Sequence, residues 1–346
     1  MEGIVWQNLP EDLIEKVLAT LPVSTLPKMR AVCKAWSSLI LSQPFIELCA
    51  RTCGRQDHLL CFTTVRTKCT LAAFNLASNN WQSSSLNFRG SKRPVVFVAA
   101  GAGLILLNDR FVDVSTYCLY NPFTRVWTEL PPIPQAKGHS GPPLVAGIFE
   151  RRDTKSYSLV VAGSNGYCRK STHVFDSLTR TWQVSGSLPQ IRGDLTDGIV
   201  CGSYLHALAS LTKELLSFDI KQGIWIKRRI SFPPLASYLH LTRCSGTLQL
   251  VALVDAAHIE DDQTIRIWEL SQKGNEWQEL GAMPADMCAS LLQQCDGLHS
   301  FKCVGHGELV YFSTYDHSIS RLQCITEALA MAPNYRVCGQ PAMLCK

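Results

Sequence analysis

Four residues near the C-terminal end, Cys295, His299, Cys303 and His306, form a cluster with metal-binding chemistry. Two thiolates and two imidazoles would suit a tetrahedral Zn²⁺. Their spacing matches no familiar zinc finger and the segment runs toward a strand, so ordinary strand and loop packing is expected there. Gly138-His139-Ser140-Gly141 has the outline of a nucleophile elbow, but that turn needs a second glycine where Pro142 stands. His206, within the apolar run Tyr204-Leu205-His206-Ala207-Leu208, is expected to be an internally satisfied core histidine. Glu260-Asp261-Asp262 reads as a solvated loop tip. The chain carries no Walker-type loop, no Gly-x-Gly-x-x-Gly and no His-Glu-x-x-His. No catalytic, cofactor-binding or metal-binding residue is assigned, and no cofactor is expected.

The elements that would position any chemistry are bounded first by composition. The 346 residues suggest two domains, or a small module plus a large one. At 46% hydrophobic and 18% charged, the chain is too apolar for disorder. The longest apolar candidate, Val95 to Leu107, is broken by Gly101 and Gly103 and is too short to span a membrane. No basic segment followed by an apolar run opens the chain, and no Asn-x-Ser/Thr sequon occurs. The 15 cysteines are odd in number, scattered and never arranged as Cys-x-x-Cys, which favours reduced, mostly buried thiols. The net charge of +5 is mild, and its densest run, Lys227-Arg228-Arg229, fits a strand end better than a nucleic-acid surface. The expectation is a soluble intracellular protein, cytoplasmic and/or nuclear, with neither membrane nor nucleic acid as a partner.

The first residues read as a separate helical module. Ile14, Val17, Leu18 and Leu21 fall at i, i+3, i+4 and i+7, one face of a helix. Asn8 can cap it, Pro10 suits the first turn, and Pro22 stops it. A second start at Ser24-Thr25, with Pro27 in a first turn, leads through Leu26, Met29, Arg30, Val32 and Cys33 into Trp36, Leu39 and Ile40, ending by Pro44. So small a cluster cannot hide all its large apolar side chains. Some should form a patch covered by a partner or by the protein's own second domain, and physics alone leaves both open.

After about residue 52 no long amphipathic helix is expected, and an internal repeat takes over. An aromatic residue, then Asn or Asp, then Trp seven positions after the aromatic, recurs as Phe74-Asn75…Trp81, Tyr120-Asn121…Trp127, Phe175-Asp176…Trp182 and Phe218-Asp219…Trp225. Trp268-Glu269…Trp277 is a looser copy with two residues inserted. The period averages about 49 residues, in the range where several strands per unit mean propeller blades. If the aromatic and the Trp flank a hairpin, i and i+7 become cross-strand partners around a four-residue loop. The Asn or Asp then bonds its own backbone two residues on. Leu130-Pro131, Leu188-Pro189, Phe232-Pro233 and Met283-Pro284 mark the exits from each unit. Val304–Leu322 reads as a sixth unit without its Trp, and a strand near Leu59–Val65 is expected to complete the last blade.

Two resemblances sharpen this reading. Leu9-Pro10-x-Asp12-Leu13-Ile14, Val17-Leu18-x-x-Leu21-Pro22, Leu26, Arg30, Val32-Cys33-Lys34-x-Trp36, Leu39-Ile40 and Pro44-Phe45 resemble the F-box motif. The repeats resemble kelch units, although the glycine doublet is reduced to Gly101-Ala102-Gly103, Ala162-Gly163 and Cys201-Gly202. Together they look like the plant F-box/kelch-repeat family. The resemblance implies a small all-α N-terminal F-box module (residues 1–48) followed by an all-β kelch-type β-propeller (residues 49–346), with six blades expected and seven the alternative. It implies a substrate-recognition adaptor of a Skp–cullin–F-box ubiquitin ligase, not itself an enzyme, whose partners are a Skp-type linker, through it a cullin scaffold, and an unidentified target protein on the propeller. By position, Leu9, Pro10, Leu13, Ile14, Leu18, Leu21, Pro22 and Val32 match the linker-contacting residues, while Trp36 and Leu39 match packing positions within the module. The alternatives are a propeller that binds a small molecule and an F-box scaffold without a degradative role. Lys137-Gly138-His139, Arg151-Arg152, Arg169-Lys170 and Glu260–Asp262 are candidate recognition loops only.

Overall fold

The computed structural model describes residues 10–314 and 329–330, apart from the stretches 22–24, 43, 46–47, 50–57, 66–67, 76–79, 87–94, 110–115, 123, 134–143, 152, 164–170, 193–194, 197, 210, 256–262, 272–275, 294–300 and 307–308. Three short helices come first: α1 (Glu11–Ala19), α2 (Leu26–Met29) and α3 (Lys34–Ile40). Helix α1 starts one residue after Pro10, whose carbonyl accepts from the Leu13 and Ile14 amides at 2.9 and 3.2 Å. No side chain caps it, and the expected cap, Asn8, lies outside the described residues, as does Pro22. The run from Leu26 to Ile40 divides into two helices. Cys33 is extended between them, and its Sγ accepts the Trp36 amide at 3.4 Å as an N-cap. Leu18, Ala19, Leu26, Ile40, Phe45 and Cys49 form the core of this module, with Ile14, Leu21, Met29, Trp36, Leu39 and Leu48 packed around it.

Six antiparallel sheets follow in chain order. They comprise β1 (His58–Val65), β2 (Lys68–Asn75) and β3 (Asn80–Leu86); β4 (Val95–Gly101), β5 (Leu104–Asp109), β6 (Thr116–Asn121) and β7 (Val126–Glu129); and β8 (Val145–Arg151), β9 (Ser156–Ala162), β10 (Ser171–Asp176) and β11 (Thr181–Ser187). After these come β12 (Ile199–Cys201), β13 (Tyr204–Ala209), β14 (Glu214–Asp219) and β15 (Ile224–Arg228); β16 (Ala236–Cys244), β17 (Thr247–Asp255), β18 (Gln263–Leu270) and β19 (Trp277–Ala282); and β20 (Phe301–His306), β21 (Leu309–Thr314) and β22 (Leu329–Ala330). Within each sheet, chain neighbours pair in order, and the first strand of each sheet touches the first strand of the next, from β1 and β4 through to β16 and β20. This is the meander-blade arrangement of a β-propeller with its first strands innermost. The segment Leu59–Val65, expected in the last blade, instead pairs with β2 and opens the first.

Blades are buried on both faces, which explains why their inner strands read as apolar runs instead of alternating ones. Leu159 and Val161 pack toward the second blade with Leu106 and Leu119, whereas Val160 between them packs toward the fourth with Leu205 and Ala207. Leu250 and Ala252 join Leu208 and Leu215 of the fourth blade, while Val251 and Leu253 face Val310 and Phe312 of the sixth. Successive side chains on a strand point to opposite faces, so both parities must be apolar when both faces are covered. One helix interrupts the pattern. Helix α4 (Ala285–Gln293) follows Met283-Pro284 and buries Met287, Cys288 and Leu291 between the fifth and sixth blades. Its three buried positions span little more than one turn, too short a signal to stand out in the sequence.

The repeated hairpin has the expected register. Phe74 faces Trp81, Tyr120 faces Trp127, Phe175 faces Trp182 and Phe218 faces Trp225, each with one further pair before a four-residue loop. The last three ring pairs lie 4.3, 5.2 and 5.3 Å apart between centroids, contacts that contribute about 0.5–1.5 kcal/mol each beyond area. Asp176 Oδ1 accepts from the Leu178 amide at 2.8 Å and Asp219 Oδ1 from the Lys221 amide at 2.8 Å, while Asn121 Oδ1 reaches the Thr124 amide at 3.0 Å. The last loop residue is left-handed each time: Arg125, Arg180 and Gly223, at φ 58°, 54° and 68°. The fifth blade differs from its expected form. Trp277 pairs with Leu270, seven residues before it, and Trp268 pairs with Glu279. Its loop therefore keeps the common length, with Leu270 in the aromatic place and Ser271 bonded to Glu276 at 2.9 Å. The glycine signals also divide: Ala102-Gly103 and Gly202 turn between first and second strands, whereas Gly163 ends a second strand.

These hairpins set two expectations for denaturant unfolding. Phe218→Ala is expected to lower the unfolding free energy by about 3–5 kcal/mol, because its ring is fully buried. Gly223→Ala should lower it by about 1–2 kcal/mol, since its φ of 68° disfavours a side chain and the new Cβ would meet Ser185 Oγ at 2.6 Å. Arg180→Gly, at the equivalent left-handed position, should leave it unchanged or raise it.

Candidate functional site

The F-box module divides its apolar residues between a core and an open surface. Leu18 is fully buried, and Ile14 and Leu21 pack against the core beside it. Leu13, Val17 and Val32 remain 45%, 44% and 59% exposed, and Pro10 is exposed at the helix start. Leu13 and Val17 are four residues apart on α1 and so share one face. Leu9 and Pro22 lie outside the described residues. Of the residues matched by position to linker contacts, Pro10, Leu13 and Val32 are exposed, Ile14 and Leu21 are partly buried against the core, and Leu18 is buried in it. Val17 was grouped with the core face in the sequence reading; a stripe read at 3.6-residue spacing does not show which border position stays open. Trp36 and Leu39 pack on the core as expected.

The module also touches the propeller. Arg30 Nη1 donates to the Thr124 carbonyl at 2.6 Å, in the hairpin loop of the second blade. This bond joins the two parts at Arg30, while Leu13, Val17 and Val32 remain exposed.

The propeller's chemistry-bearing residues resolve into structural roles. His206 is buried, and its Nδ1 lies 2.9 Å from Ser217 Oγ. Arg228 Nε donates to the same Oγ at 3.2 Å, so the hydroxyl is left to donate to the imidazole. Arg228 itself lies over the Tyr204 ring at 5.4 Å. Ser217 is fully buried, so this serine–histidine pair has no access to a substrate. Burial, with the Arg228 charge, pushes the His206 pKa down to about 4. Of the densest basic run, Lys227 pairs with Glu214 at 2.6 Å. Arg151 pairs with Asp176 at 2.7 Å, which ties a candidate recognition residue into the third blade. Cys303 packs against the core between the fifth and sixth blades; Cys295 and His299 lie outside the described residues, as do Lys137–Ser140, Arg152, Arg169-Lys170 and Glu260–Asp262. Among the described residues no group of three or more histidine, cysteine or acidic side chains is placed to hold a metal, and no helix is long and apolar enough to cross a membrane.

One feature of the propeller escaped the sequence reading. A groove of about 620 Å³ opens between the fourth and fifth blades, walled by Phe232, Pro233, Pro234, Trp268 and Trp277, with Asp255, Arg266 and Glu279 at its polar side. Its sequence signals, the Phe232-Pro233 pair and Trp268…Trp277, read as a blade exit and a hairpin repeat.

A helical module with exposed apolar side chains, joined to a propeller, defines a two-part protein. The F-box domain model matches residues 6–48. F-box only protein 6 of Arabidopsis thaliana is 26% identical, covering 93% of this chain and 68% of its own length. Protein UNUSUAL FLORAL ORGANS, from the same plant, is 24% identical over 90% of this chain and 74% of its own. An F-box/kelch-repeat protein of Arabidopsis thaliana is 24% identical over 90% and 78%. The chain thus carries an F-box domain at residues 6–48 and is similar across most of its length to plant F-box/kelch-repeat proteins.

The buried histidine sets a pH dependence. The folded pKa of His206 lies below its unfolded value of 6.5, so the unfolded chain binds the extra proton. Its contribution to stability is full above pH ~6.5 and is lost as the pH falls toward ~4, by up to about 3 kcal/mol. Denaturant unfolding across that window should show a steeper loss for wild type than for His206→Gln.

Proposed function

We propose that the protein is the target-recognition subunit of a Skp–cullin–F-box-type ubiquitin ligase. The F-box binds a Skp-type linker, the linker joins it to a cullin scaffold, and the propeller holds the protein to be ubiquitinated. The observation that carries this reading is the open apolar surface of Leu13, Val17 and Val32 on a module matching the F-box domain. Leu13 and Val17, left exposed on one face of α1, favour a partner that covers them. The F-box/kelch relatives support an adaptor of this kind. The protein makes no bond itself. It tethers the target beside the ubiquitin-transferring enzyme and so raises its effective concentration. It works in the cytoplasm, the nucleus or both, where the ubiquitin machinery operates.

Capture by an immobilised, purified Skp-type linker tests the proposal. Wild type should be retained, and Leu13→Ala/Val32→Ala should bind at least about tenfold more weakly, since a few apolar anchors dominate such interfaces. Because both residues are exposed, the thermal unfolding of the double variant should match that of wild type. Failure of folded wild type to bind would overturn the adaptor reading.

A further inference from the structure

Linked domains move relative to one another unless a contact holds them. Here the contact from Arg30 falls on a hairpin loop that has two close counterparts in the propeller. In the second, third and fourth blades the side chain that opens the loop accepts the amide of the third loop residue. Asn121 Oδ1 takes the Thr124 amide at 3.0 Å, Asp176 Oδ1 the Thr179 amide at 3.4 Å and Asp219 Oδ1 the Gln222 amide at 3.2 Å. Each third residue is followed by a left-handed one, Arg125, Arg180 or Gly223. The three loops therefore hold the carbonyl of Thr124, Thr179 or Gln222 in the same local setting.

Their surroundings differ. Thr179 and Gln222 are exposed, whereas Thr124 is half-buried and its carbonyl accepts from Arg30 Nη1 at 2.6 Å. A hydrogen bond from a guanidinium is charge-assisted, shorter and roughly twice as strong as a neutral one. The second blade is chosen by where the module lies, because the neighbouring loops offer the same acceptor. On the module side, Arg30 is the C-cap of α2, and Val32, two residues on, is 59% exposed. One short segment thus gives Arg30 to the propeller and leaves Val32 to solvent.

We propose that Arg30 and the second-blade hairpin loop form a lock that makes the F-box and the propeller tumble as one body. A linker held at the F-box then stands at a set angle to whatever the propeller holds, a use that rests on the adaptor reading. Arg30 is a positioning residue, acting through the Thr124 carbonyl and touching neither partner.

The test is time-resolved fluorescence anisotropy on the full-length protein, with a fluorophore carried by an encoded non-natural residue at the exposed Ser38 of α3. Beyond the label's own local motion, wild type should show one long correlation time, that of the whole protein. Arg30→Ala removes the donor and should add a component several-fold faster, the tumbling of a released module. Arg30→Lys keeps a charged donor and should retain the slow decay. Hydrogen exchange reads the junction from the propeller side. Arg30→Ala should speed exchange in residues 121–126 and leave residues 176–181 and 219–224 unchanged. The lock is overturned if wild type already contains the fast component, if Arg30→Ala decays as wild type does, or if the three loops change alike. Capture by the Skp-type linker is measured on the same samples. Arg30→Ala should be captured as wild type is, since Leu13, Val17 and Val32 are untouched. Loss of capture in that variant alone would overturn the positioning role, because the arginine would then support the module itself. Failure of wild type to be captured, with its slow decay intact and Arg30→Ala fast, would refute the adaptor reading and leave the lock standing.

Discussion

The third and fifth blades of this propeller carry apolar side chains on both faces, and no four-stranded sheet of that kind is stable alone in water. Val160 faces one neighbour while Leu159 and Val161 face the other, and Val251 and Leu250 repeat the division two blades on. Everything else in the large domain follows from the need to cover both surfaces at once. Exit segments must cross from one outer edge to the next inner strand, and their first apolar residue, Leu130 or Met283, plugs the gap between blades. The hairpin residues Trp182 and Trp225 sit at such seams, where an aromatic body fills space and an N–H reaches across.

Coverage is incomplete at two places. At the F-box, a core of six buried residues is all that so small a module can enclose, and Leu13, Val17 and Val32 are left outside. At the seam between the fourth and fifth blades, the packing opens into a groove. The bond from Arg30 to the Thr124 carbonyl joins the F-box to the second blade. On the adaptor reading proposed above, such a junction would help set the spacing between the two bound partners.

Charged and ionisable groups play the opposite part here. His206, Ser217 and Arg228 look like catalytic parts when listed by type, but their geometry turns them inward. The arginine donates to the hydroxyl, the hydroxyl serves the imidazole, and burial keeps the imidazole neutral. A nucleophile also needs a face open to substrate, and this fully buried serine has none. The fourth blade uses polar groups to fix register in an apolar strand pair, at the expense of stability in acid.

The sequence by itself determined the N-terminal helical module, the repeated hairpin and the propeller architecture. It could do so because i and i+7 aromatic pairing, Asx turns and short-range helix spacing are local, set by residues a few positions apart. Where it went astray, the deciding contact lay elsewhere in the chain. Trp268 looked like the partner of Trp277, but strand pairing beyond the hairpin placed Leu270 there. Leu59–Val65 looked like a closing strand, but pairing with β2 put it in the first blade. Helix α4 carries too few apolar residues to announce itself and exists because two blades leave a gap for Met287 and Leu291. Only the tertiary structure decided which F-box residues stay open and which of three equivalent hairpin loops receives Arg30. Both are properties of what packs alongside, and three-dimensional neighbours from distant parts of the chain leave no mark at a single position.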